Sequence, residues 1–491
     1  MLSFLSLAIT LLTSPSKLDP KVLKEFEKSN ASHHVLLLLK DEANLDFIDD
    51  RLPKDEKTKI VYQHLSSFAL QSQADLAQWL QKNKIEFRAF YITNAIVIYN
   101  PKLLHLRELA KRDDVRKIIL DPKMKLPPLP KSDSPSEMSI LNFQSSIEAV
   151  GATRVWKDFG IRGEGIVVAS QDTGVEWDHP ALLESYRGWK NGEVSHDLSW
   201  HDAIHRAIGK KNSCGYRLKV PCDDDAHGTH TLGTILGEQA PDYQIGVAPK
   251  AKWMACRNMD EGEGRVSTYL ECFEFFLAPW AFGKNSLTDG RPQFAADIIN
   301  NSWGCTRDEG CRGAEFIEAL YALKKAGIFV VTAAGNEGPD CQTIGDPPAS
   351  ISSLNLRVGA MNHRNQKIAD FSSRGPSAFD HQMGPDIVAP GVDVLSAVPG
   401  GDYESWDWSG TSMASPHVAG IIALLWSAQP SLRGQIEKTR QLIFETAKPR
   451  SAPNLCGENS IHDIPNNTYG YGAIDAYELI KRAKTDAPDN F

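Results

Sequence analysis

Three short stretches carry side chains whose types could build a nucleophile at neutral pH. Ile166-Val-Val-Ala-Ser-Gln-Asp172-Thr-Gly ends an apolar run on a carboxylate. Asp225-Ala-His227-Gly-Thr-His230 sets histidines at what reads as a helix start, and Ser409-Gly-Thr-Ser412-Met-Ala-Ser-Pro-His417 sets a serine at the head of an apolar helix. A serine hydroxyl attacks poorly unless a base within hydrogen-bond reach takes its proton, and histidine is the side chain that titrates in the useful range. Singly, each residue has an ordinary reading: Asp172 as a turn residue, His227 as a loop histidine, Ser412 as a helix N-cap. Together they are an acid, a base and a nucleophile. An α/β-hydrolase esterase would need a G-x-S-x-G elbow and the order serine, acid, histidine. Gly410-Thr-Ser-Met-Ala414 and the order found here fail both conditions.

The order Asp, His, Ser resembles that of the subtilisin-like serine proteases, the subtilases. The resemblance covers about residues 150–483 and rests on Asp172-Thr-Gly, His227-Gly-Thr-His, Ala333-Ala-Gly-Asn336-Glu-Gly338 and Gly410-Thr-Ser-Met-Ala-Ser-Pro-His417. Gly246-Val-Ala-Pro249, Ser372-Ser-Arg-Gly-Pro376 and Ala389-Pro-Gly391 also match. Cys256-Arg-Asn-Met259 and Asn301-Ser-Trp-Gly-Cys305 are similar to the bacillopeptidase F-like branch. The resemblance implies that His227 takes the proton of Ser412 and returns it to the leaving amine, while Asp172 fixes the imidazole tautomer. Asn336 and the Ser412 N–H would hold the oxyanion. By the same resemblance, His230 and His417 are structural helix residues.

Ser302-Trp-Gly304 and the stretch containing Gly262 and Gly264 resemble the two edges between which a peptide substrate adds as a strand. Trp303 reads equally as cleft wall or core. One wall of the specificity pocket would come from the segment of Gly335 and Asn336, the other from Thr343-Ile-Gly-Asp346-Pro-Pro348-Ala349. With Asp346 at its floor the pocket would favour Lys or Arg. With Gly345 there it would favour a large apolar residue, and Asp before Pro is also common in plain turns. The chemistry needs no cofactor. Structural calcium occurs in many subtilases, but Glu238-Gln-Ala-Pro-Asp242-Tyr-Gln offers few of the six to eight oxygens calcium wants. Asp223, Asp224 and Asp225 could recruit a cation or be solvated, so no metal site is assigned.

The elements that must position these residues alternate. Apolar runs at 166–170, 252–255, 298–301, 328–332 and 356–358 read as buried strands, and 268–277, 313–326 and 412–428 have helical spacing. The expected fold is α/β, a subtilisin-like parallel sheet flanked by helices, with sites outside the carboxyl ends of its strands. Ahead of it, a strand at 34–39, helical spacing at 61–81, two strands within 85–99, a helix at 103–112 and a strand at 115–120 give β-α-β-β-α-β, a small α+β sandwich. This part resembles a subtilase propeptide, which implies a folding aid and intramolecular inhibitor removed by self-cleavage. Leu126-Pro-Pro-Leu-Pro130 opens a proline-rich tether. The expected division is 1–16 signal peptide, 17–125 propeptide, 126–135 linker and 136–491 peptidase.

The 491 residues, 42% hydrophobic and 23% charged, have an ordinary globular composition. A net charge of −9 without a basic tract excludes a nucleic-acid footprint, and no apolar run is long enough for an integral membrane span. The uncharged apolar run at 1–13 fits a secretory h-region, although no Lys or Arg precedes it. Eight cysteines, all from Cys214 on, suit an oxidising compartment. The pairs Cys214 with Cys222, Cys305 with Cys311, Cys256 with Cys272 and Cys341 with Cys456 are candidates among 105 connectivities. The sequence therefore reads as a secreted serine endopeptidase made as a zymogen, acting on peptide substrates.

Overall fold

The computed structural model describes residues 17–28, 33–131, 145–208, 212–239 and 243–485. The expected signal peptide and the end of the linker, 132–135, lie outside them. Two compact units divide the chain: the first holds residues up to Glu42, Gln71–Phe90 and Asn94–Asp121; the second holds Ala43–Leu70, Tyr91–Thr93 and everything from Pro122 on.

In chain order the N-terminal elements are α1 (Pro20–Lys28), β1 (His34–Leu39), α2 (Lys54–Ser72), α3 (Ala74–Lys82), β2 (Glu86–Phe90), β3 (Ala95–Tyr99), α4 (Leu103–Leu109) and β4 (Val115–Leu120). The strands form an antiparallel sheet ordered β2-β3-β1-β4. Its central strand, His-Val-Leu-Leu-Leu-Leu, is buried along its whole length. The helical run expected at 61–81 begins earlier, after Pro53, and breaks at Gln73. There the Gln73 amide leaves the helix surface to donate to Phe90 O at 2.8 Å and Asn94 Oδ1 at 2.9 Å. A side chain bonded to a neighbouring strand pins the chain where a second helix must start in a new direction.

The second unit is built on one large sheet. Its strands are β5 (Lys123–Lys125), which stands outside that sheet, then β6 (Val167–Asp172), β7 (Trp200–Asp202), β8 (Lys252–Arg257), β9 (Glu263–Arg265), also outside, β10 (Ile298–Asn301), β11 (Phe329–Ala333), β12 (Leu356–Asn362), β13 (Lys367–Ile368) and β14 (Ile387–Pro390). The order is β13-β12-β11-β10-β6-β8-β7, with β14 also on β12. Every pair is parallel except β12 with β13. The middle strands are buried on both faces, which is why they read as continuous apolar runs rather than alternating ones. The edge strand β7, Trp-His-Asp, has too little apolar sequence to be seen as a strand beforehand, and β14 is only four residues long and ends on a proline.

Helices α5 (His227–Leu236) and α8 (Thr411–Ala428) pack together on the sheet, α6 (Val266–Leu277) pairs with α7 (Ala314–Lys325), and α9 (Ile436–Thr446) with α10 (Ala476–Thr485). From Thr411 to Trp426 α8 is buried on all sides, matching a helix apolar around its whole circumference. Its Gly420 lets it approach closely: a Cβ there would stand 2.7 Å from Val247 Cβ and 2.9 Å from Ile235 O. All eight cysteines form disulfides in the pairs expected, Cys214–Cys222, Cys256–Cys272, Cys305–Cys311 and Cys341–Cys456. Among the described residues no helix is long and apolar enough to cross a membrane.

Two buried carboxylates tie separate segments together. Asp297, wholly buried, accepts Val167 N at 2.9 Å and Arg433 Nε at 2.7 Å and lies 3.2 Å from the Nζ of buried Lys54. Burial pushes the Lys54 ammonium below its ordinary range, although Asp297 opposes the shift. Glu274, on α6, accepts the backbone N–H of Tyr91, and the Tyr91 hydroxyl donates to Glu274 O at 2.7 Å.

Gly420→Ala tests the helix approach. Helix propensity favours alanine by about 1 kcal/mol, whereas forcing a methyl into a filled contact costs about 1–3 kcal/mol. Overpacking outweighs propensity, so thermal unfolding of the substituted chain, measured in a Ser412→Ala background, is expected at a lower temperature. An unchanged or higher midpoint contradicts the packing account.

Candidate active site

Three neighbouring parallel strands, β6, β10 and β11, end at one cleft. β6 ends on Asp172, β10 leads into Ser302-Trp-Gly304, and β11 leads into Gly335-Asn336. The elements bearing His227 and Ser412 begin at the same end.

The start of α5 is fixed from both sides. Asp223 Oδ2 accepts Thr229 N at 2.9 Å, and its Oδ1 accepts Ala226 N at 3.0 Å and Thr173 Oγ1 at 2.8 Å. A carboxylate at a helix N-terminus satisfies free N–H groups and complements the helix dipole. Gly228 N donates to Thr173 Oγ1 at 2.9 Å, and a Cβ on Gly228 would stand 2.1 Å from Gly174 O. Only glycine permits the helix to close on the strand end so that His227 reaches Asp172. The acidic run is thus structural: Asp223 caps the helix, and Asp224 pairs with the fully buried Arg257, which also lies 3.3 Å from Asp260.

Asp172 and His227 are both buried, with Nδ1 2.8 Å from Asp172 Oδ1. Oδ1 also accepts Thr173 N at 2.8 Å, and Oδ2 faces Thr231 Oγ1 at 3.4 Å. A carboxylate facing Nδ1 places the imidazole proton there and leaves Nε2 as the acceptor. That Nε2 is buried and has no hydrogen-bond partner among the described residues. Burial alone would push the His227 imidazole down, but Asp172 beside it, then Asp225 and Asp223, hold it above its ordinary value. His230 and His417 behave oppositely. Burial drives both to about 3, with His230 stacked on Trp408 and bonded to Val394 O, and His417 bonded to Met413 O.

Ser412 is the second residue of α8, so its N–H has no partner within the helix. Its position is set from β10. Pro416 lies four residues on and has no N–H, so it cannot cap the Ser412 carbonyl as a helical residue would. Ser302 Oγ takes that carbonyl at 3.0 Å, while Ser412 Oγ donates to Ser302 O at 3.1 Å. Asn336 is oriented likewise: its Oδ1 accepts both N and Oγ1 of Thr411, each at 2.9 Å, which turns the amide NH₂ toward the cleft beside Ser412.

Gly304, Gly335, Asn336 and Asp346 line the cleft with Ser302 and Ser412. The Trp303 ring is buried against Tyr269 and Phe316, so the residue borders the cleft mainly from behind. Asp346 sits across from Gly304, whose added Cβ would stand 3.2 Å from Asp346 Cβ. Among the described residues no cation pairs with its carboxylate. Burial, reinforced by Glu337 and Glu309, raises it to about 7.

The cleft is not open along its length. β5 pairs antiparallel with β9, Met124 opposite Gly264, and Leu126 N donates to Gly262 O at 2.7 Å. Lys125, Leu126 and Pro127 continue into the cleft of Ser302 and Ser412, and Leu129 packs beyond it against the cluster of Met413 and Trp408. Sequence reasoning put these residues at a domain boundary and missed Thr173, Thr411 and Pro416. The signals were present: each of the last three lies inside a quoted motif, and the alternation in Lys-Met-Lys is that of an edge strand.

Glu238 is taken by Arg162 and by Lys250 at 3.3 Å, Gln239 accepts from Tyr403, and 240–242 lie outside the described residues.

A parallel α/β sheet ending in a buried carboxylate–imidazole pair beside a helix-borne serine is the framework of a serine hydrolase. The chain belongs to the subtilase family, the subtilisin-type serine proteases, matching it over residues 163–472. It is 33% identical over 508 aligned residues to Bacillopeptidase F of Bacillus subtilis, covering 96% of this chain and 33% of that protein. The chain thus spans a third of that relative. It is 26% identical to Serine protease AprX of Bacillus subtilis, over 88% of this chain and 90% of the relative. With Subtilisin E of the same species identity is 32%, over 57% of this chain and 61% of the relative.

The contrast among the histidines can be measured. In the Ser412→Ala chain, imidazole NMR signals should show His227 titrating above an ordinary histidine, while His230 and His417 stay neutral to well below pH 5. Asp172→Asn should lower the His227 value. A His227 that titrates below the ordinary histidine range, or is unmoved by Asp172→Asn, contradicts the assignment.

Proposed function

We propose that this chain hydrolyses peptide bonds with Asp172, His227 and Ser412 as its catalytic triad. The observation carrying this is the buried His227, held on one nitrogen by Asp172 and bare on the other. A buried acceptor without a partner costs about 1–3 kcal/mol, a cost that is sensible where a proton is to be received. When an extended substrate arrives, one of its N–H groups takes the Ser302 carbonyl and frees Ser412 Oγ to turn to His227 Nε2. Oγ attacks the carbonyl carbon as its proton moves to Nε2, and Asp172 stabilises the imidazolium. Asn336 Nδ2 and Ser412 N donate to the oxyanion. The imidazolium protonates the leaving amine, the C–N bond breaks, and water, activated by the same base, hydrolyses the acyl-enzyme. Ser302, Gly304, Gly262 and Gly264 supply backbone partners to the substrate strand, with Trp303 buttressing them from behind.

The chain is further proposed to be a secreted zymogen, with residues 17–125 as propeptide, a linker at 126–135 and the peptidase from 136. Export is supported by the four disulfides, and inhibition by the chain's own 123–127 strand in the cleft. Pro127, beside Ser302, has no N–H for the Ser302 carbonyl, consistent with Ser412 Oγ bonding there instead. Every peptide bond from Leu126 to Lys131 has proline on at least one side. Proline fixes φ and removes the strand donor, so this occupant is a poor substrate and the processing cut is placed after Lys131. Asp346 is proposed as the floor of the specificity pocket, with a preference for Lys or Arg.

Ser412→Ala should lower kcat by about a million-fold, a magnitude carried over from subtilisin, and leave the N-terminal part attached. N-terminal sequencing of the processed unsubstituted chain should begin beyond Lys131. A mature-sized Ser412→Ala chain from a protease-free host, or a start within 127–131, refutes the processing account.

Because Asp346 is neutral below about pH 7 and charged above it, the ratio of kcat/KM for an Arg over a Leu peptide amide should rise as pH climbs through neutrality. Asp346→Asn should flatten it. A ratio that favours Leu at pH 8 and is unmoved by the substitution removes Asp346 from the pocket floor.

A further inference from the structure

We propose that His201, His205 and Glu271 form a zinc site that clamps the edge strand β7 and its following loop to helix α6. His201 Nε2 lies 2.6 Å from Glu271 Oε1, and His205 Nε2 lies 2.8 Å from the same oxygen and 3.0 Å from Oε2. All ligand atoms fall within 4.8 Å of one another. Bonds of 2.0–2.1 Å at tetrahedral angles would set ligand atoms about 3.4 Å apart, which small side-chain rotations reach.

The donor set selects the ion. Two imidazole nitrogens and one carboxylate are the ligands of three-protein-ligand zinc sites, whereas calcium and magnesium want oxygens throughout. Asp202, the carboxylate between the two histidines, is committed: it accepts Ile204 N at 3.1 Å and Leu218 N at 2.8 Å and lies 3.6 Å from Arg257. Those bonds tighten the turn that returns His205 beside His201. Glu271 is buried, while the His205 side chain is a quarter exposed, so water can fill the fourth position and the ion has an entry path.

The surroundings say what the ion does. His201 stands opposite Cys256 in the β7–β8 register, and Glu271 precedes Cys272, so the Cys256–Cys272 disulfide joins the same two places one residue away. β7 has three residues and stands last in the sheet order, the situation in which a strand needs holding. The role is structural, separate from the cleft of Ser412.

The test uses the full chain carrying Ser412→Ala, stripped with EDTA. Calorimetry should show one Zn²⁺ per chain, and Co²⁺ should give the visible absorption of a four-coordinate nitrogen–oxygen site. Zn²⁺ should raise the unfolding temperature by several degrees where Ca²⁺ does not. His205→Ala, at a partly exposed loop residue, and Glu271→Gln should each weaken Zn²⁺ binding by more than the roughly 10–100-fold that loss of an outer-shell partner costs. Should His201→Ala not fold, these two variants carry the test. No stoichiometric zinc, or the same affinity in His205→Ala, would mean that the three side chains are only a hydrogen-bonded triad, and overturns the proposal.

Discussion

The reciprocal bond between Ser302 and Ser412 is the constraint on which the rest of the cleft depends. Each serine gives its hydroxyl to the other's carbonyl, so the head of α8 is registered against the end of β10. The arrangement exists because Pro416 deprives the helix of one internal bond and leaves a carbonyl to be claimed from outside. A helix held only by apolar packing can slide by fractions of an ångström. Two directional bonds at its first turn fix Ser412 to the sheet, and the sheet also carries Asp172 and the segments flanking Asn336.

Much of this was legible in the sequence, for a physical reason. Strands buried on both faces leave a marked apolar signal, so β1 and β10 match the expected spans residue for residue. The site residues could be read because each sits at the end of such a run or the start of an apolar helix. What could not be read depended on partners distant in sequence. Thr411 is informative only once its contact with Asn336 is known. Gln73 breaks a helix because Phe90 and Asn94 are in reach. The convergence of His201, His205 and Glu271 joins residues some 70 positions apart with no motif between them. Asp346 belongs to both classes: sequence left it and Gly345 as alternatives for one position, with a plain turn residue as the other reading, and its raised pKa comes from burial and from carboxylates that only folding brings near.

The electrostatics around the site follow one design. Three acids meet donors on both oxygens: buried Asp172 through Thr173, Thr231 and His227, half-buried Asp223 through Thr173, Thr229 and Ala226, and buried Asp297 through Val167, Arg433 and Lys54. An unpaired buried carboxylate would be neutralised or would admit water. Asp346, in the cleft, differs: among the described residues no cation pairs with it, and its carboxyl is pushed up to about 7.

The Asp297 cluster has a consequence for a chain that loses its N-terminal part. Of its two cationic partners, Lys54 comes from that part and Arg433 from the body that stays. On departure the retained carboxylate keeps a 2.7 Å guanidinium contact and a backbone donor, so no orphan charge is left behind. The ammonium, meanwhile, passes from a site that disfavours its charged form into water that favours it. Were the two parts to separate, the departing ammonium would regain hydration at little electrostatic loss to the retained carboxylate, and rebinding would have to strip that hydration again.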